Sequence, residues 1–378
     1  MCGCRHRPCL RNTSTTTKLP RPTVARIFPQ NLVHNLARVR EFAPRSKVMA
    51  CVKANGYGHG LVTVAEALAP LSDGLAVATL EEAVALRSAG ITAPILLLEG
   101  VHEPGDWQRA VHHHLTVAVS DATQLNWLEA AAPASAPLCW LKIDTGMHRL
   151  GLPPDMTTQA LARLRASAVS EDALTLMTHF ASADEAASAF SLAQLRCFES
   201  VTQSLGLARS TANSAAIMSL PDSHLDWVRP GYMLYGGSPF ADRDAQSCGL
   251  LPAMHFSSTV ISVRDVEAGE PVGYGGRWVA PRKSTIATVA AGYGDGYPRH
   301  AADGTPVLIR GRHAKLAGRV SMDMLTVDVT DLDSVVVGDL VTLWGEALPV
   351  DEIAASCGTI GYELLARMPA RVPRQICT

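Results

Sequence analysis

From about Arg21 onward, short runs of β-branched and aliphatic residues alternate with longer stretches whose apolar residues recur at helical spacing. That change of period, from two to about 3.6 and back, is the mark of βα units around a parallel sheet. Strand-like runs cover Val48–Lys53, Gly74–Thr79, Pro94–Glu99, Leu115–Val119, Leu138–Asp144, Leu174–Phe180, Ser210–Asn213 and Trp227–Leu234. The helical segments between them include Leu80–Ala89, Ala122–Ala131, Thr158–Ala166 and Ala183–Leu205. Eight strands, each followed by a helix, fit the count and size of a closed (β/α)8 barrel of the TIM type; an open doubly wound sheet is the structural alternative.

After Leu250 the rhythm changes. His255–Val266, Thr285–Ala291, Pro306–Ile309, Leu325–Val329 and Val335–Trp344 read as strands separated by Gly and Pro turns, and helical character returns only over Val350–Met368. The 378 residues therefore divide into a mobile tail (1–20), an α/β barrel (21–250) and a mainly β domain (251–378). The strand-like segment 21–30 precedes the barrel pattern and is expected to pair with the second domain. The tail holds Cys2, Cys4 and Cys9 beside Arg5, His6 and Arg7. A closed zinc site needs four ligands in a loop that folds round them, and this segment runs into Thr- and Pro-rich sequence, so no metal is assigned.

With 33 Lys and Arg against 35 Asp and Glu, there is no basic field for nucleic acid or anionic lipid, so neither a nucleic-acid nor a membrane partner is expected. No run of 18 apolar residues occurs, and the first residues lack the apolar core of a secretory leader. The nine cysteines are odd in number and mostly scattered singly, unlike a disulfide framework; a cytoplasmic location is expected.

In a (β/α)8 barrel the chemistry sits at the C-terminal ends of the strands. The first strand ends in KANGYGHG, where Lys53 closes an apolar run. Desolvation there lowers an amine's pKa and makes it a nucleophile toward carbonyls. Tyr57 adds a phenol for a phosphate oxygen, and the glycines allow tight turns near a ligand. The fifth strand ends in KIDTGMHRLG, with Lys142 and Arg149, and the sixth in THFASADE, with His179. ANSAA, with Asn213 and Ser214, opens a helical run and offers a hydroxyl and amide donors to an anion. VRPGYMLYG adds Arg229 and the amides of Gly231 and Tyr232. Each residue also has a plain structural reading: strand-end cap, core histidine, N-cap or ion pair. Together they compose a lysine, a ring partner, a phosphate cup and cationic anchors, a set suited to pyridoxal 5′-phosphate.

These motifs, with AGYGDGYPR and GRVSMDM in the second domain, resemble those of the alanine racemases in order and spacing from about Arg21 to Arg374. The resemblance implies a pyridoxal-phosphate barrel followed by a β domain, acting as a head-to-tail homodimer with shared active sites, interconverting L-alanine and D-alanine and so supplying a peptidoglycan precursor in bacteria. By the same resemblance Lys53 carries the cofactor and is the base for the D-enantiomer, and Tyr293 is the base for the L-enantiomer, reaching the partner's cofactor from the opposite face. A phenol is a weak base at neutral pH, and the resemblance implies that His179, whose family counterpart lies near both ring and tyrosine, would stabilise its anion. Arg229 would donate to the pyridine nitrogen. Tyr57, Ser214, Tyr362 and the backbone of Gly231 and Tyr232 would hold the phosphate, with Asn213 beside them. Arg149 and the amide of Met322 would meet the substrate carboxylate, and Lys142 matches a lysine that is carbamylated in many members.

Gly56 and Gly294 stand where the family often has alanine, and Tyr232 where an aliphatic residue is common. Two other activities share the resemblance: a broader-spectrum amino-acid racemase and a pyridoxal-dependent decarboxylase, the latter opposed by the tyrosine in GYGDG. A non-catalytic pyridoxal-phosphate carrier would need Lys53 and the cup but not Tyr293, Arg149 or the β domain.

Overall fold

The structure, a computed structural model, describes residues 21–132, 137–185 and 188–377; the expected mobile tail and its cysteine cluster lie outside them. The first strand, β1 (Val24–Ile27), is followed by a helix over Pro29–Phe42 and then by β2 (Lys47–Cys51), β3 (Gly74–Val77), β4 (Ile95–Leu97), β5 (Leu115–Val119), β6 (Leu138–Lys142), β7 (Leu174–Met177), β8 (Ala208–Ser210) and β9 (Trp227–Val228). Strands β2 to β9 pair in parallel in sequence order and close through β9–β2, with Lys47 opposite Trp227, into an eight-stranded barrel. Their interiors are almost wholly buried, as parallel strands covered on both faces require.

The helices are fixed by local sequence. Thr79 caps the helix Leu80–Ser88 by accepting from the Glu82 amide, and the Glu82 carboxylate returns to the Ala78 amide. Ser188 caps Ala189–Thr202 by accepting from Ser191 N. From that helix Gln194 reaches back to the end of β7, where its Nε2 donates to the His179 carbonyl and its Oε1 accepts from Ala181 N.

The second sheet comprises β10 (Met254–Val266), β13 (Ser284–Val289), β14 (Pro306–Ile309), β15 (Arg312–Leu316), β16 (Leu325–Asp328), β17 (Leu340–Trp344) and β18 (Arg374–Ile376), together with β1; β11 (Pro271–Val272) and β12 (Trp278–Val279) form a small hairpin. Its order is β13-β16-β15-β14-β17-β10-β1-β18, and a further β10–β13 pairing closes six of these strands into a ring. β1 lies antiparallel to β10 and parallel to β18.

Several elements differ from the sequence reading: the strand read over Val335–Trp344 begins at Leu340, and the helix read over Ala183–Leu205 covers Ala189–Thr202. β9 stops at Val228 because Pro230 has no amide to continue the ladder, and Tyr232–Tyr235 form a 3-10 turn instead. β8 ends at Ser210, since Asn213 serves as a helix cap. The helical tract 350–368 is two helices, Val350–Ser356 and Gly361–Ala366, separated at Gly358, whose φ of +65° suits glycine.

Candidate active site

At the C-terminal mouth of the barrel lies a cavity of about 520 Å³ that collects residues from strands far apart in sequence. Lys53, Tyr57, Lys142, Arg149, His179, Asn213, Ser214, Arg229, Gly231, Tyr232 and Tyr362 all line it. Tyr293 and Met322 do not: they sit exposed on the second domain, at 38% and 53%.

Lys53 follows β2 with one residue between and opens an unusual turn. Ala54, Asn55, Gly56, Tyr57 and Gly58 all have left-handed backbone angles, with φ between 48° and 78°. Left-handed conformation costs a non-glycine residue roughly 1–2 kcal/mol, so the surroundings must over-determine it, as is common at functional sites. They do so in several ways. Asn55 accepts from Leu61 N and its own amide donates to Glu82. The Gly58 carbonyl accepts from Arg374 Nε at 3.0 Å. A Cβ on Gly56, whose φ is +61°, would lie 2.8 Å from Val64 Cγ2, which accounts for glycine there.

The turn places the Tyr57 ring against Tyr235 (4.5 Å between centroids), itself anchored by its hydroxyl to the Cys51 carbonyl. Gly231 must be glycine here, because a Cβ would stand 2.6 Å from the Tyr57 hydroxyl. Ser214 Oγ accepts from the amides of Gly231 (2.9 Å) and Met233 (3.4 Å), so a phenol, a hydroxyl and backbone donors converge on one point. Asn213 serves mainly as the cap of Ser214–Ser219, accepting from Ala216 N. The Tyr232 hydroxyl does not face the cup. It donates to Asp351 at 2.5 Å, while its ring stacks on Tyr362 at 3.8 Å.

Arg229 is 2% exposed and donates to Ser210 Oγ, to the Thr178 and Thr211 carbonyls and, at 3.4 Å, to His179 Nδ1. That last contact leaves the His179 proton on Nε2. Burial, reinforced by Arg229, Lys142, Arg149 and Lys53, holds His179 well below the usual imidazole range, so it is neutral. Lys142 is likewise buried, and desolvation with Arg229, Arg149 and Lys53 nearby brings its amine down to about 8. Among the described residues none of these four cations forms a carboxylate ion pair, and Glu99 is the one carboxylate on the wall. The cavity therefore carries uncompensated positive charge aimed at an anionic ligand.

The fold and this geometry agree with what sequence comparison finds. Residues 27–239 match the alanine racemase N-terminal domain and residues 253–376 its C-terminal domain. The chain belongs to the alanine racemase family. An alanine racemase of Stutzerimonas stutzeri is 49% identical over 355 residues, covering 94% of this chain and 99% of that one. One of Nitrosococcus oceani is 49% identical over 353 residues, covering 92% and 99%. Among solved structures, the biosynthetic alanine racemase from Pseudomonas aeruginosa superposes with a TM-score of 0.92 at 48% identity, covering 95% of this chain and all of that one. The enzyme from Acinetobacter baumannii gives 0.89 at 38% identity, covering 94% and 100%. The barrel and following β domain read from the sequence are thus those of an alanine racemase.

Sequence reasoning passed over several residues of the site. Cys51, Leu98, Glu99, Leu150 and Met177 also line the cavity, and Tyr235 and Asp351 support its tyrosines. Cys51 and Met177 could have been found, since they stand at the ends of strands already assigned to the barrel. Asp351 opens a helix about 120 positions beyond Tyr232 and left no local signal.

Proposed function

We propose that this chain interconverts L-alanine and D-alanine with pyridoxal 5′-phosphate bound at Lys53, acting in the cytoplasm as a homodimer whose two active sites each use both copies. The observation that carries the reading is the convergence of Lys53, the Tyr57–Ser214–Gly231 cradle and uncompensated cations in one cavity at the barrel mouth. The donor set fits the group: hydroxyls and amides for a phosphate, and an arginine that stays charged beside a ring nitrogen.

When bound, pyridoxal phosphate supplies an aldehyde for amines and a ring that withdraws electrons from the substrate α-carbon. The chain's own residues do the rest. Lys53 holds the cofactor and exchanges the α-proton on the face used by D-alanine. Arg229, fixed by four acceptors, keeps its proton and leaves the ring nitrogen unprotonated. That restrains the electron sink and disfavours transamination. Arg149 meets the substrate carboxylate.

Tyr293 and Met322 stand outside their own chain's cavity, beyond the helix Gly361–Ala366, which turns Tyr362 and Ala366 toward the cavity and Glu363, Leu364 and Arg367 toward a second hollow lined by Tyr293. A second copy docked head to tail supplies them. Tyr293 of that copy serves the L-alanine face, where neutral His179 offers its Nε2–H to a phenolate, and opposed bases invert configuration. A cytoplasmic place accords with six described cysteines, all free.

The test is a visible absorbance spectrum of the purified protein followed by L-alanine and a D-alanine-specific detection assay. Lysine-bound cofactor absorbance with D-alanine formed supports the reading; absorbance without D-alanine leaves the carrier reading, and no absorbance after added cofactor overturns Lys53.

Lys142 is proposed to be carbamylated. A neutral amine attacks CO2, forms a C–N bond and releases one proton, replacing a cation beside Arg149 with an anion that orients it. Protonation removes the lone pair, so the adduct should grow as pH rises through about 8 and fade below it. A carbon-13 NMR titration with labelled bicarbonate should show this, and the signal should vanish in Lys142→Arg.

A further inference from the structure

We infer that Asp295 is a positioning residue for Tyr293 and Met322: with Arg21 and Arg371 it locks the two loops bearing them into one unit. The inference rests on the reading of Tyr293 as the second base.

Asp295 is a carboxylate at 1% exposure in a domain whose other acids are mostly at the surface. Its Oδ2 accepts from Arg21 Nη2 at 2.7 Å and from the Gly292 amide at 2.9 Å, and its Oδ1 accepts from Arg371 Nε at 3.0 Å. Both arginines continue to the neighbouring loop. Arg371 Nη2 donates to the Asp323 carboxylate at 2.6 Å, and Arg21 Nη2 to the Asp323 carbonyl at 2.8 Å. Asp295 is two residues from Tyr293, and Asp323 adjoins Met322. The network thus spans Gly292–Asp295 and Ser321–Asp323 with two positive and two negative charges.

The backbones of the two loops are correspondingly joined. Tyr293 N donates to the Ser321 carbonyl at 3.0 Å and Gly294 N to the Met322 carbonyl at 2.7 Å. The approach depends on missing side chains: a Cβ on Gly292 would lie 2.3 Å from the Ser321 carbonyl, and one on Gly294 2.7 Å from Arg371 Nη1. Glycine at 294 leaves room for the Arg371 guanidinium beside the residue that follows Tyr293.

A buried carboxylate between two arginines is a poor way to gain stability, because desolvation consumes much of the Coulomb energy. It is an effective way to fix geometry, since charged hydrogen bonds are short and directional. The Tyr293 side chain is partly exposed and has no hydrogen-bond partner among the described residues of its own chain. Its direction is therefore set by its backbone. A shift of about 1 Å in a reacting group costs on the order of 100-fold in rate.

The experiment uses the cofactor-loaded enzyme in D2O and follows two events on D-alanine: racemisation, which needs both bases, and replacement of the α-hydrogen by deuterium with retained configuration, which needs Lys53 alone. Asp295→Asn keeps an acceptor for Gly292 N but loses the charge. Racemisation should fall roughly 100-fold while exchange with retention persists, so the ratio of exchange to racemisation rises. Arg371→Lys keeps the charge but not the fork spanning Asp295 and Asp323, and should move the ratio the same way by less. Racemisation and exchange falling together in both variants would mean a merely structural role and overturn the proposal. Wild-type racemisation in both, with Tyr293→Phe inactive, overturns it and leaves the second base standing. Wild-type racemisation in Tyr293→Phe would overturn the underlying reading instead.

Discussion

Tyr293→Phe should load cofactor and show its normal visible absorbance while losing racemisation by roughly 100- to 10,000-fold, the usual worth of a positioned base. The expectation follows from where the residue stands. Its ring lies on the second domain, 38% exposed and outside the wall of its own cavity. Removing one hydroxyl therefore leaves the Tyr57–Ser214–Gly231 cradle, Arg229 and Lys53 untouched. Exchange of the α-hydrogen of L-alanine should be lost and that of D-alanine kept. A variant racemising at the wild-type rate would remove Tyr293 from the mechanism.

Lys53→Ala and Tyr293→Phe, each inactive alone, should regain activity when their dimers are dissociated and reassociated together. Random exchange gives half hybrid dimers, and each hybrid holds one site with an intact Lys53 and an intact Tyr293. Recovery should therefore approach about a quarter of the wild-type rate, as two-fold symmetry with shared sites dictates. No recovery after exchange verified by mass would mean that each site is built from a single chain.

Much of this architecture was legible in the chain because parallel strands buried on both faces leave continuous apolar runs, as in Leu115–Val119, and because the buried antiparallel strand Pro306–Ile309 reads as apolar too; the bounds of both match the structure. β15, by contrast, reads RHAKL. Its charged residues face outward and only Ala314 and Leu316 are buried, so the run lacks an apolar signature and pairing with β14 and β16 defines it. The cavity was legible wherever a residue closes a strand, as with Lys53 and Lys142. Its support was not: Asp351 under Tyr232 and Asp295 under Tyr293 act through contacts that appear only once the chain has folded. Tyr232 shows the limit of reading a position by its motif, because its buried ring and hydroxyl serve Tyr362 and Asp351 rather than the cup alone.

The placement of β1 between β10 and β18 bears on the order in which the protein comes into being. During synthesis the barrel strands emerge in sequence, each beside its predecessor, so the barrel can close while the ribosome is still making the second domain. β1 leaves first yet has both its neighbours more than 225 residues downstream, at Met254–Ser257 and Arg374–Ile376. It must wait unpaired until β10 has emerged, and its other edge stays open until β18 follows. β18 also brings Arg374 to the Gly58 carbonyl. The turn after Lys53 thus gains its last clamp only after the second domain has been made, which ties competence to hold a ligand to the synthesis of that domain.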